Sequence, residues 1–156
     1  MEKLVTVLVL ALFIPQISCA RPNYQVAQAP IQTGDEQKVT EDCSLKLNKY
    51  SLCTAVEWQK MPTEDVRGTF TLKFWEITKG NQASGPFITP PEKMAVVLWM
   101  PSMGHGSAPV KITEIQPGIY EVSEVYFVMS GDWEIRIQIK KGRDVLDQAA
   151  LPIYIN

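Results

Sequence analysis

One stretch of the chain gathers the residue types that soft-metal chemistry uses: Trp99-Met100-Pro101-Ser102-Met103-Gly104-His105-Gly106-Ser107. Two thioethers and the single imidazole of the sequence fall within six residues, on a segment made pliable by Gly104 and Gly106. Thioether sulfur with imidazole nitrogen suits Cu(I), suits zinc less, and hardly suits calcium or magnesium. The neutral imidazole nitrogen is also a common metal donor in its own right. Met103 lies in polar, glycine-rich sequence where burial is not needed. Met100 has two readings, a sulfur donor or an adaptable core filler, the latter because it continues the Met94, Val96, Leu98 face of its strand. Met129, closing the run Tyr126-Phe127-Val128-Met129, offers a further sulfur.

Other chemistries find less support. A Gly-x-Ser-x-Gly nucleophile elbow is missing, and a hydrolytic triad would have to use His105, the one histidine. Gly104-His105-Gly106 follows a strand but opens no helix, so it does not make a phosphate-binding loop. The carboxylates are scattered singly; Glu121 and Glu124 have odd-even spacing on a strand and are expected on opposite faces. Formal net charge is −2, and the one basic cluster, Lys140-Lys141-Gly142-Arg143, reads as a solvated hairpin tip. No nucleic-acid partner is expected. The residues read as a binding module and not as an enzyme.

The elements that must position these groups are strands. Phe70, Leu72 and Phe74 alternate with Thr71 and Lys73 within Arg67 to Ile77, the mark of a strand with one buried face. Lys93 to Met100 is a continuous apolar run suited to a central strand, ended by Pro101. Val110 to Ile115, Ile119 to Met129, Trp133 to Lys140 and Val145 to Ile155 follow in quick succession. Gln116-Pro117-Gly118, Ser130-Gly131-Asp132 and Lys141-Gly142-Arg143 separate them, with proline setting φ and glycine supplying positive φ. Together with Ser44 to Glu57, this gives about seven short strands and no amphipathic helix of length. The expectation is an all-β, immunoglobulin-like sandwich spanning 38–156.

The start of the chain reads as an export signal. Met1-Glu2-Lys3 precedes an apolar run from Leu4 to Ile14, and Ser18-Cys19-Ala20 supplies a small-residue exit. Two processing readings stand side by side over residues 1–20. Cleavage after Ala20 would remove Cys19, whereas a lipobox reading of Ile17-Ser18-Cys19 would make Cys19 the lipidated first residue and the sole membrane anchor. Residues 21–37, with their prolines and glutamines, read as a flexible tether. Export places the remaining cysteines, Cys43 and Cys53, where disulfides persist, and their pairing as a structural bridge is expected. The localisation so implied is periplasmic, free or held at the membrane by lipid.

Met100-Pro101-Ser102-Met103-Gly104-His105-Gly106, then Pro117-Gly118-Ile119-Tyr120, then Phe127-Val128-Met129-Ser130-Gly131-Asp132-Trp133-Glu134-Ile135, resembles the YtkA-like/FixH-like family over roughly 68–155. The resemblance implies a small exported β-sandwich of immunoglobulin-like fold and a connection with copper handling or copper-oxidase assembly. It implies Met100, Met103, His105 and Met129 as the ligand set. The chain departs from the FixH-like pattern in having no retained transmembrane helix, and the Cys43/Cys53 pair is no part of that pattern. Two functions follow as expectations. The first is a copper-binding module of the periplasm; the second is a protein–protein interaction or structural domain of the cell envelope, with Trp99 and the Met-His-Gly loop as contact surface.

Overall fold

The computed structural model describes residues 43, 45–63, 65–79 and 84–156. The expected signal at 1–20, the tether at 21–37 and the lipidation of Cys19 lie outside the described residues. Nine strands occur among those described: β1 (Leu45–Leu47), β2 (Leu52–Lys60), β3 (Gly68–Glu76), β4 (Lys93–Met100), β5 (His105–Gly106), β6 (Lys111–Gln116), β7 (Ile119–Val125), β8 (Gly131–Lys141) and β9 (Asp144–Ile155). The two beyond the expected seven are the shortest, β1 and β5. A single 3-10 turn, Asn48–Tyr50, divides β1 from β2, and Ser51 leaves it in the left-handed region at φ 52°.

All pairings are antiparallel, and they form two sheets ordered β1-β2-β3-β7-β6 and β5-β4-β8-β9. The chain changes sheet between β3 and β4, returns between β5 and β6, and crosses again between β7 and β8. In this way β2, β3, β7 and β6 fill the A, B, E and D places of the immunoglobulin arrangement, and β4, β8 and β9 fill C, F and G. The all-β sandwich expected from the sequence is the fold observed.

Alternation decides which side chains meet between the sheets. Trp133, Ile135, Ile137 and Ile139 of β8 and Val96, Leu98 and Met100 of β4 point inward from one sheet. Phe70, Leu72 and Phe74 of β3, with Tyr120, Val122 and Val125 of β7, point inward from the other. Val122 and Val125 both reach the core, three positions apart, because Glu124 adopts φ 61° in a bulge of the β3–β7 pairing. The bulge resets the period of two. Glu121 and Glu124 therefore do not follow the simple odd-even rule, and neither enters the core.

A smaller cluster sits on the outer face of the larger sheet, where Cys53, Ala55 and Trp75 pack together. Cys43 and Cys53 are joined by a disulfide spanning ten positions, which fastens the chain ahead of β1 over this cluster. At the seam between the sheets, the Asp147 carboxylate of β9 accepts the backbone N–H groups of Lys49 and Tyr50, at 2.7 and 3.3 Å. β9 is an edge strand and carries Pro152, a residue that sheets tolerate on edges because it has no N–H to donate.

Candidate functional site

The sandwich topology brings the candidate ligands to one end. β4 runs antiparallel to β8 with Trp99 opposite Glu134, so β4 finishes where β8 begins. The segment entering β8, residues 126–130, must therefore lie beside the turn leaving β4. Contacts fasten the two together. The Ser107 hydroxyl donates to the carbonyl of Tyr126, and the guanidinium of Arg67 stacks over the Tyr126 ring at 4.3 Å.

The β4–β5 hairpin is tight. The backbone N–H groups of Met103 and Gly104 both donate to the Met100 carbonyl, at 3.3 and 3.0 Å, and Ser107 N–H donates to the Leu98 carbonyl at 3.0 Å. Gly104 turns the chain at φ 65°, a conformation that a Cβ would resist. His105 then returns as the direct cross-strand partner of Met100. Residues opposed in this way present their side chains on the same face of the sheet.

Trp133 forms the floor of the site. It is 1% exposed, its ring stands edge-on to His105 with centroids 6.2 Å apart, and it stands edge-on to Phe127 at 5.3 Å. Its indole N–H donates to the carbonyl of Met129 at 3.1 Å. A buried indole needs such an acceptor, and meeting that need fixes the course of the loop carrying Met129. Sequence patterning identified Trp133 only as an inward strand residue. The signal that marks it further is an indole at a core position four residues beyond Met129, just past a loop whose backbone is free to accept.

The four candidate ligands sit differently around this floor. Met100 is 3% exposed and belongs to the core, and its methyl carbon packs against Gly131. Met100 thus fills the core, at the strand end paired with His105. Met103 stands 60% exposed on the hairpin tip. Met129 is 37% exposed and lies outside any strand, because β7 stops at Val125 after the bulge and does not run on to 129 as expected. Cross-strand pairing joins Met100 to His105, the Trp133 ring links His105 to the backbone of Met129, and Met103 stands exposed on the same hairpin.

The imidazole is partly exposed, with Nδ1 3.3 Å from the Gly106 carbonyl oxygen. A carbonyl only accepts, so this contact is a hydrogen bond only in the tautomer protonated at Nδ1. That tautomer leaves the lone pair on Nε2, the arrangement usual in metal-ligating histidines. Among the described residues no group of three or more His, Cys, Asp or Glu side chains is placed to hold a harder ion.

A groove of about 470 Å³ opens beside Trp133, with Trp58, Pro101, Ile153 and Tyr154 among its walls. Among the described residues no helix is long and apolar enough to cross a membrane.

The strand order of its two antiparallel sheets places the domain among immunoglobulin-like sandwiches. Within that class, residues 67–138 match the model of the YtkA-like family. The match runs from β3 into β8 and contains Met100, Met103, His105 and Met129; the disulfide lies outside it. No curated protein and no solved structure matches the chain significantly.

Proposed function

We propose that this protein is an exported copper-binding module that carries Cu(I) at the end of the sandwich formed by the β4–β5 hairpin and the 126–130 loop. His105 supplies Nε2, and sulfur comes from Met103 with Met100 or Met129. The observation carrying this reading is the direct opposition of Met100 and His105 across the hairpin, beside the buried Trp133. Copper is cargo in this reading, held for storage, delivery or sensing. The leader-like first twenty residues and the Cys43–Cys53 disulfide support a periplasmic setting, reached with or without a lipid on Cys19. Envelope proteins that give or receive the ion are the expected partners.

The test is an anaerobic Cu(I) titration against a chromophoric competitor. His105→Ala and Met103→Leu are each expected to weaken binding by roughly tenfold or more. Unchanged affinity in both variants removes the site. A second reading, a docking surface for another envelope protein, draws on the aromatic groove beside Trp133. It is favoured if protein purified with copper present holds none.

A further inference from the structure

Thioethers are oxidised by two-electron oxidants to the extent that the oxidant can reach the sulfur. The methionines at this end of the sandwich differ sharply in that respect. Met103 is 60% and Met129 37% exposed, while Met100 is 3% exposed with its methyl carbon packed against Gly131. Met61 and Met94 are half-buried, and Met94 packs on the core.

We propose that Met103 and Met129 are an oxidant-sensitive pair whose conversion to sulfoxides switches off the soft-donor site while leaving the fold intact. The oxidant class is a peroxide. Sulfur donates an electron pair to one peroxide oxygen, the sulfur–oxygen bond forms as the oxygen–oxygen bond breaks, and the departing hydroxide takes the proton from the transferred oxygen and leaves as water. Sulfur is oxidised by two electrons and the peroxide is reduced by two. The product is a polar, chiral group in place of a soft apolar donor, and soft sulfur is what favours Cu(I) at this position. A methionine sulfoxide reductase reverses the step.

The fold tolerates the change because neither side chain is a core member. The 126–130 loop is held through the Met129 carbonyl, which accepts the Trp133 indole N–H. Met100 behaves differently. Its sulfur becomes reachable only if β4 and β8 part, so it reports unfolding and not surface oxidation. The loss of copper binding rests on the metal reading above; the order of oxidation does not.

The experiment is graded treatment of the full chain with hydrogen peroxide, followed by peptide mass mapping and thermal melting. Met103 and Met129 are expected to gain one oxygen each before Met100, Met61 or Met94, with the melting midpoint unchanged. Oxidation of Met100 in step with the pair, or a falling midpoint as the pair reacts, overturns the proposal. In the second arm, Cu(I) affinity is measured before and after oxidation, and a loss of roughly tenfold or more is expected. Equal affinity after oxidation overturns the switch and leaves the metal site standing. If the untreated protein binds no Cu(I), the metal reading and the switch both fall, and the mass map still decides whether these two residues are the oxidation sites.

Discussion

The methyl carbon of Met100 lies 2.8 Å from where a Cβ on Gly131 would be, so the buried thioether occupies space that only glycine leaves open. Gly131 also sits at φ 130°, outside the range comfortable for other residues. Gly131→Ala should therefore destabilise the domain by about 1–2 kcal/mol from backbone strain alone. The Met100 side chain is a flexible end and should turn aside. Urea denaturation measures the first effect, and a Cu(I) titration of the still-folded variant, with weaker binding expected, measures the second.

Gly118→Ala should be much worse. Its new Cβ would lie 2.4 Å from the backbone nitrogen of Ile88 and 2.6 Å from its carbonyl oxygen, and backbone cannot move aside as a side chain does. Gly118 also holds φ 73°, and its carbonyl accepts from Phe74 N–H at 2.9 Å. A loss of about 3–4 kcal/mol is expected, in the range reserved for steric failures of this kind. A normal denaturation midpoint would show that the segment carrying Ile88 is free to shift.

Thr54→Val should act in the opposite direction. The Thr54 hydroxyl oxygen is buried on the inner side of β2 with no hydrogen-bond partner. Replacing an unsatisfied hydroxyl by a methyl of similar shape removes a desolvation penalty, and a gain of about 1 kcal/mol follows. Calorimetry or urea unfolding would read it, and a loss of stability would indicate a partner for that oxygen.

Tyr120 predicts an alkaline limit. Burial raises its phenol above the ordinary value of 10.0, and the nearby Glu114 carboxylate, which accepts its hydroxyl at 3.2 Å, adds to the rise. The folded state then holds the proton more tightly than the unfolded chain. Its contribution to stability is complete below the ordinary phenol value and is lost as pH climbs through the raised one. Tyr120→Phe should flatten that part of the stability profile above about pH 10, as a pH series of urea melts can show.

Reducing the Cys43–Cys53 bridge should cost about 3 kcal/mol by loop entropy, given its ten-position span. Comparing melts with and without reductant checks this, with Cys43→Ser/Cys53→Ser as the reductant-free control. An unchanged midpoint would mean that β1 holds its place through packing alone.

Much of this architecture was legible in the residues themselves. β8 announced its inner face through Trp133, Ile135, Ile137 and Ile139, and β4 has its expected limits because Pro101 ends the apolar run. The disulfide followed from the cysteine positions. What escaped was set by long-range geometry. The bulge at Glu124 uses a left-handed residue with no glycine to mark it, so the apolar pattern carries the strand on to Met129, past the end of β7 at Val125. β5 is two residues long and exists because the hairpin brings His105 back to Met100, which no period in so short a segment reveals. The tie from Trp133 to Met129 depends on the path of a loop, and the resemblance implies a set of candidate ligands without saying which are buried.

The disulfide has a mechanical consequence. It joins Cys43 to a residue of β2 that lies opposite Trp75 on β3, bypassing β1 and the 3-10 turn. Tension applied to the chain ahead of Cys43 would enter the sheet at Cys53, leaving the bypassed residues slack. The β2–β3 ladder then takes the pull first, and pulling from that side strains the sheet farther from the hairpin that carries His105.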